Sequence, residues 1–201
     1  MTSYSPSSAE LRSSARIGAI LFRNRSWLPV PFLFVALLVP ARTTAAEWTA
    51  GAVLLAAGEW IRLAGVAAAG SVTRRRSREV QRLVTYGIFA WVRNPLYVGN
   101  LLIWSGAVLA SGVVWFLPIA ILVFIIEYTL IVAYEEGVLE STFGAEYTAY
   151  RAITPRWVPR RPAQSPEGAH DWVEAWRSET STFLQYVVLA GCFVVKQRIV
   201  G

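Results

Sequence analysis

The sequence has 201 residues, of which 55% are hydrophobic, and it carries a formal net charge of +6. Its apolar runs are longer than the core of a small soluble domain needs, and its basic residues flank these runs, so we expect a bilayer protein that does not bind nucleic acid. One histidine and one cysteine exclude a multi-histidine metal centre and an intramolecular disulfide, and no metal is expected.

The chain begins with a Ser-rich segment, residues 1–26, that carries four arginines. No small-residue cleavage site follows its apolar part, so we interpret it as a cytoplasmic tail and not as a removed signal. The first apolar segment, residues 27–39, contains Pro29 and Pro31 and barely reaches the roughly 20 residues of a membrane span. It predicts a short or tilted helix.

A second apolar segment, residues 48–70, is long enough to cross a bilayer. Its Glu59 and Arg62 are three residues apart on one helical face, which predicts an ion pair. The small residues near its end, among them Gly65 and Ala69, predict close packing against another helix. The arginines of residues 74–82 follow, and the positive-inside rule places this basic loop in the cytoplasm.

No charged residue occurs in residues 95–126, and Ser111 and Gly112 interrupt the apolar stretch near its middle. This pattern predicts a helical hairpin whose arms are residues 95–110 and 113–134. Glu127 lies in the returning helix, and we expect Arg62 or a polar cofactor group as its partner. A last helical pattern covers residues 171–195, and its length leaves open whether it crosses the membrane.

These elements predict an all-α, polytopic protein with four to five transmembrane helices and a cofactor pocket at the cytoplasmic face. We divide the chain into a tail (1–26), two helices with the basic loop (27–82), a core with the hairpin (83–160) and a C-terminal helix (161–201). The arginines favour a cytoplasmic N terminus and a cytoplasmic active site.

Two polar clusters carry residues suited to chemistry. The first has the pattern GxFxWVRNPxYxG over residues 87–99, and the second begins with Glu135 and Glu136. Because the predicted hairpin returns the chain to the face from which it started, the two clusters meet at one membrane boundary. Aromatic faces, a guanidinium, an amide and two carboxylates suit a ligand with an aromatic base, a ribose and an amino-acid end. The alternative is an interfacial anchor belt without a ligand.

The first pattern, together with EExxLxxxFGxxYxxY at residues 135–150 and PRxxP at residues 155–159, resembles the isoprenylcysteine carboxyl methyltransferase and phospholipid methyltransferase superfamily. The likeness covers residues 83–160, and its specificity comes from the order and spacing of the three pieces. It implies an integral membrane enzyme that uses S-adenosylmethionine to methylate a lipophilic acceptor or a lipid.

The resemblance also implies which residues form the cofactor site. One position departs from the family, which commonly has His where this chain has Asn94. An amide still donates and accepts hydrogen bonds but does not titrate near neutral pH, so a proton shuttle at this position is not expected. The implied cofactor-binding residues are Gly87, Phe89, Arg93, Asn94, Pro95, Tyr97, Glu135, Glu136, Tyr147 and Tyr150.

A sulfonium methyl donor is already activated, so the enzyme mainly has to align the acceptor and exclude water. We expect the glutamate pair to hold the cofactor ammonium and Arg93 to meet its carboxylate. Arg156 is a candidate for orienting an anionic acceptor such as a carboxylate or a thiolate. A lipid amine requires a base, for which Glu127 or one glutamate of the pair is the candidate.

Two other classes of protein remain open from the sequence. A steroid-reductase-like membrane enzyme has a similar Arg-x-Pro-x-Tyr region but uses NADPH, and adjacent carboxylates suit an ammonium better than a phosphate-rich dinucleotide. A non-enzymatic membrane protein or a transporter is the second alternative, although transporters usually show repeats that this chain lacks.

Overall fold

The structure is a computed structural model that describes residues 8–70, 82–163 and 165–200, with side chains from residue 16 onward. The described residues form helices and turns without a strand, which confirms the all-α prediction for them. The seven α-helices are α1 (Ser8–Asn24), α2 (Pro29–Leu38), α3 (Ala45–Ala69), α4 (Pro95–Ala110), α5 (Leu117–Phe143), α6 (Ala145–Ile153) and α7 (Trp172–Val200).

Helix α3 has strong stop and start signals. Thr44 caps its N terminus, because the Thr44 hydroxyl accepts from the Glu47 amide at 3.2 Å and the Glu47 carboxylate accepts from the Thr44 amide at 2.7 Å. This reciprocal pair satisfies two amides that a helix start leaves without partners. Gly70 ends the helix with a positive φ of 79°, a conformation that L side chains rarely adopt.

Helices α3 and α4 pack through two pairs of glycines. A Cβ added to Gly58 would lie 2.6 Å from the Gly99 carbonyl oxygen, and one added to Gly99 would lie 2.7 Å from the Gly58 carbonyl oxygen. Gly51 and Gly106 contact each other in the same reciprocal way, at 2.7 and 2.6 Å. The prediction that small residues let the second segment pack closely is therefore confirmed, and these glycines lie earlier in α3 than Gly65.

The predicted hairpin is confirmed as α4 and α5. Pro95 is the first residue of α4, a position where proline loses no helical hydrogen bond. Ser111 ends α4, and Gly112 turns the chain with a φ of 79°. A short 3-10 turn (Val114–Phe116) leads into α5, which brings its last turns back to the end of the bundle where α4 begins.

Three helices are long and apolar enough to cross a membrane by length and composition, namely Ala45–Ala69, Val114–Phe143 and Trp172–Val200. Two further apolar helices, Pro29–Leu38 and Pro95–Ala110, are shorter than the roughly 20 residues of a full span. The structure thus has three candidate spans, and the count of four to five stays a prediction. Residues 71–81, most of the predicted basic loop, lie outside the described residues.

The N-terminal segment contributes helix α1, which packs on α5. A Cβ on Gly18 would lie 2.5 Å from the Leu130 carbonyl oxygen and 2.9 Å from the Tyr134 Cβ, so the two helices touch at this glycine. The Phe22 and Tyr134 rings lie 5.7 Å apart. The predicted tail is therefore largely helical over its described part.

Helix α7 is tied to α3 by ionic contacts inside the bundle. Arg62 lies 3.5 Å from Glu59, which confirms the predicted ion pair, and its Nη2 also lies 3.2 Å from Glu179. The Tyr186 hydroxyl donates to Glu59 at 2.7 Å. The single guanidinium of Arg62 is thus shared between one carboxylate of α3 and one of α7. At the other end of α7, the Lys196 ammonium donates to two carbonyls of α2 and the α4–α5 turn.

Candidate active site

A cavity of about 1400 Å³ opens between the α1–α2 corner and helices α3, α4, α5 and α7. Its walls include both of the polar clusters that the sequence analysis singled out. Of the twelve predicted site residues, nine line this cavity: Phe89, Arg93, Asn94, Pro95, Tyr97, Glu135, Glu136, Tyr147 and Tyr150. The hairpin therefore brings residues 89–97 and residues 135–150 to one site.

Glu136 is the centre of an ionic clamp. Its Oε1 accepts from Arg93 Nε at 3.2 Å, from Arg93 Nη2 at 2.9 Å and from Arg156 Nε at 3.2 Å. Its Oε2 accepts a further hydrogen bond from Arg156 Nη2. The Arg93 and Glu136 side chains are only 9% and 7% exposed, whereas Arg156 is 38% exposed. The clamp joins α5 to the start of α4 and to the segment that follows α6.

Arg93 also holds the end of α6. Its Nη1 donates to the carbonyls of Arg151 at 2.9 Å and Thr154 at 2.6 Å, which are groups that a helix end leaves without partners. Its backbone amide donates to the Pro155 carbonyl at 2.9 Å. The Arg93 guanidinium is thus bound by Glu136 and by the end of α6, whereas the expected partner was a cofactor carboxylate.

Asn94 contacts the same segment. Its Nδ2 donates to the Arg156 carbonyl at 3.1 Å, and its own carbonyl begins α4 by accepting from the Tyr97 and Val98 amides. The side chain lines the cavity, as expected for a cofactor contact. Its observed hydrogen bond positions residues 154–160 against the start of α4.

Two tyrosines of α6, Tyr147 and Tyr150, line the cavity. The Tyr150 hydroxyl donates to the Phe89 carbonyl at 2.8 Å, which fixes the 3-10 turn Gly87–Ala90. Burial, and next the nearby Glu136 carboxylate, raise the pKa of Tyr147 to about 12. Burial likewise raises the pKa of Tyr150. Both phenols are therefore neutral hydrogen-bond donors at physiological pH.

Glu135 differs from its neighbour in its surroundings. Adjacent helical residues point about 100° apart, so Glu135 faces the cavity while Glu136 faces the arginines. The Tyr97 side chain lies beside the Glu135 carboxylate and interacts with it, and the charge of Arg25 acts on the same carboxylate. Among the described residues, no cation forms an ion pair with Glu135 within 4 Å. Glu135 thus offers its carboxyl group to a ligand in the cavity.

Three predicted site residues do not line the cavity: Gly87, Glu127 and Arg156. Gly87 has a φ of 60°, and a Cβ there would lie 2.6 Å from His170, so its role is to let residues 165–170 pack against the turn. Arg156 is engaged by Glu136 instead of facing an acceptor.

Glu127 requires the clearest correction. The sequence analysis expected Arg62 or a cofactor group as its partner, but the contacts of Arg62 within the described chain are with Glu59, Asn100 and Glu179. Glu127 Oε2 is buried and has no hydrogen-bond partner there. Since Glu127 is not on the cavity wall, this arrangement does not support it as a base for an acceptor.

Other polar residues on the cavity wall escaped the sequence analysis. Arg25 was counted only as a charge that orients the tail, because nothing local to residues 23–25 indicates a site. The other polar wall residues lie on helices whose sequences show mainly apolar patterns. These residues come together only when the helices pack in the folded protein. The missed polar residues on the wall include Arg25, Asn100, Tyr128 and Tyr186, and Arg62, which was predicted only as an ion-pair partner, also lines it.

Comparison with known proteins identifies the family. The family model described as phospholipid methyltransferase matches residues 46–146, which include nearly all of α3, all of α4 and α5, and the clamp residues Arg93 and Glu136. Searches of curated proteins and of solved structures returned no significant match. The matched region spans half of the chain and contains both polar clusters of the site, and the protein therefore belongs to the phospholipid methyltransferase family.

Proposed function

We propose that the protein is an integral membrane methyltransferase that uses S-adenosylmethionine to methylate the amine of a phospholipid headgroup. The observation that supports this most strongly is the make-up of one cavity. Its polar end contains Glu135, Tyr97 and Asn94, and apolar side chains of α2, α4 and α7 form a large part of the remaining wall. A polar cofactor and a lipid acceptor require such a combination of surfaces.

The chemistry of the polar end fits the cofactor. Glu135 suits the ammonium of its amino-acid end, because a charge-assisted hydrogen bond is stronger than a neutral one. The half-buried ring of Phe89 on the cavity wall offers a face for the adenine. Pockets for small ligands usually enclose roughly 300–1,000 Å³. The cavity of about 1400 Å³ therefore leaves room for part of an acceptor.

When bound, the cofactor supplies an activated methyl group on a sulfonium. The protein's own contribution is to align the acceptor and to exclude water from the reacting atoms. The clamp of Glu136, Arg93 and Arg156 serves this purpose by holding residues 154–160 and α6 against the hairpin. An acceptor amine also has to lose a proton before it attacks the methyl group, and because Glu135 is assigned to the cofactor ammonium, we expect water to take this proton.

Separate observations support the choice of acceptor and the orientation of the protein in the membrane. The family description names phospholipids, and the apolar wall formed by Phe32, Leu33, Leu184 and Leu189 suits acyl chains. The amine is the headgroup atom that a methyl donor can alkylate. We place the polar end of the cavity on the cytoplasmic side, because the arginines concentrate in the segments that reach this end.

Isothermal titration calorimetry of detergent-solubilised protein tests the proposed cofactor. We expect saturable binding of S-adenosylmethionine and no saturable binding of NADPH under the same conditions. Binding of NADPH without binding of S-adenosylmethionine would support the reductase alternative instead. Absence of binding for both would remove the enzymatic assignment of the cavity.

A further inference from the structure

Arg25 lies on the cavity wall at the corner between α1 and α2. It precedes residues 46–146, so the family match does not include it. The guanidinium carbon lies 4.1 Å from the centroid of the Phe22 ring, and Nη1 donates to the Phe22 carbonyl at 3.1 Å. An arginine stacked on a ring keeps its edge available for a planar anion.

The packing of α1 on α5 sets the position of Arg25. The contact of Gly18 with Leu130 brings the two helices together, and the Phe22 ring then lies against the ring of Tyr134. Tyr134 directly precedes Glu135 in α5. The guanidinium that stacks on Phe22 is therefore held on the wall of the same cavity as Glu135, where its charge acts on that carboxyl group without a direct contact.

The other arginines of the cavity wall already have protein partners. Arg93 is bound by Glu136, and Arg62 is bound by Glu59 and Glu179. Arg82 donates to the Ala68 carbonyl and the Tyr86 hydroxyl. In the part of the chain that the structure describes, Arg25 has no carboxylate within 4 Å. It is thus the cavity cation best placed to take an anion from a ligand.

We propose that Arg25 and Glu135 together hold the zwitterionic amino-acid end of S-adenosylmethionine, with Arg25 on its carboxylate and Glu135 on its ammonium. The inference rests on the proposed function. One positive and one negative side chain match a ligand end that carries one charge of each sign, so no uncompensated charge stays buried. This assignment gives Arg25 the part that the sequence analysis expected of Arg93.

The test compares S-adenosylmethionine with its decarboxylated analogue by titration calorimetry. The wild-type protein is expected to bind S-adenosylmethionine about 10- to 100-fold more tightly than the analogue, because the analogue lacks the carboxylate. The substitution Arg25→Gln should remove most of this preference by weakening S-adenosylmethionine alone. Arg25→Lys should retain part of it. The matched control is Arg23→Gln at an exposed position in the last turn of α1, two residues before Arg25, which should leave both affinities unchanged.

Each other outcome contradicts the inference. Equal affinity of the wild-type protein for both ligands excludes a carboxylate contact, and this measurement does not depend on whether the Arg25 variant folds. Equal effects of Arg25→Gln on both ligands indicate a structural role. An unchanged affinity for S-adenosylmethionine, with a raised KM for a phospholipid acceptor, assigns Arg25 to the acceptor phosphate. Failure of the wild-type protein to bind S-adenosylmethionine at all rejects the proposed function itself.

Discussion

Arg93 donates from both Nε and Nη2 to the same oxygen of Glu136, at 3.2 and 2.9 Å. This contact joins Arg93, which lies two residues before the start of α4, to Glu136, which lies about two turns before the end of α5. Because the same arginine also binds the carbonyls at the end of α6, a single side chain fixes three elements around the cavity. Glu136 therefore acts as a positioning residue, and its neighbour Glu135 is the carboxylate left for the ligand.

Loss of the Glu136 charge should destabilise the protein. In Glu136→Gln, the buried Arg93 loses its counter-ion, and removing one partner of a buried pair costs about 3 kcal/mol. The matched control is Glu140→Gln, one turn further along α5, whose pair with Arg151 is about half exposed and contributes roughly 0–1 kcal/mol. The unfolding midpoint in detergent measures both. If the two variants unfold at the same midpoint, the ion pairs of Glu136 do not stabilise the protein in the way proposed.

Loss of the Glu135 charge should weaken the cofactor instead. We expect Glu135→Gln to lower the affinity for S-adenosylmethionine by about 1.5–3 kcal/mol, since a charged hydrogen bond becomes a neutral one. An S-adenosylmethionine analogue without the amino group should bind both proteins alike. Calorimetry with the two ligands makes this comparison, and the unfolding midpoint should change little. If the variant binds S-adenosylmethionine as the wild type does, Glu135 is not the ammonium site.

The glycine contact between α3 and α4 should not tolerate a methyl group. An added Cβ at Gly99 meets both the Gly58 backbone and the Arg62 side chain at 2.7 Å, so Gly99→Ala should separate the helices and destabilise the protein by about 1–3 kcal/mol. Gly137→Ala is the control, because no atom lies within 4 Å of its added Cβ. Thermal unfolding of both variants should show a loss for Gly99→Ala alone, and equal midpoints contradict the packing.

The pKa of Tyr147, raised to about 12, predicts a pH dependence of stability. The phenol has a pKa near 10 in the unfolded chain, so the folded protein binds its proton more tightly between about pH 10 and pH 12. The stability that this proton contributes is fully present below pH 10. It is lost as the pH rises from about 10 to about 12, by up to about 1.4 kcal/mol per pH unit. Tyr147→Phe removes this contribution, so its midpoint should fall less steeply from pH 10 to pH 11. If the unfolding midpoints of the wild type and Tyr147→Phe fall equally steeply from pH 10 to pH 11, the prediction is wrong.

Features set by short-range patterns could be predicted from the sequence. The apolar stretch broken at Ser111 and Gly112 was sufficient to predict the hairpin, and the hairpin alone brings Arg93 and Glu136 to the same end of the bundle. The spacing of Glu59 and Arg62 was sufficient to predict their ion pair. Each of these follows from helix geometry and the length of an apolar run.

Contacts between distant segments could not be predicted in this way. The position of Arg25 depends on the close approach of α1 to α5 at Gly18, and no periodic pattern encodes which helix a given glycine meets. The partner of Arg93 was expected to be a ligand, but a guanidinium with five donors binds whatever acceptors the folded chain brings near it. The sequence analysis expected Arg62 or a cofactor group as the partner of Glu127. Arg62 instead pairs with Glu179, which the distant helix α7 supplies.

Methyl transfer into lipid tests the central proposal most directly. Purified protein in vesicles that contain an aminophospholipid is incubated with S-adenosylmethionine labelled on its methyl group, and the label in the extracted lipid is counted. We expect label in the lipid that depends on the aminophospholipid, is absent from vesicles whose lipids lack an amine, and falls at least tenfold in Glu135→Gln at subsaturating cofactor. Label that stays in the aqueous phase, although calorimetry shows that S-adenosylmethionine binds, would contradict a phospholipid amine as the acceptor.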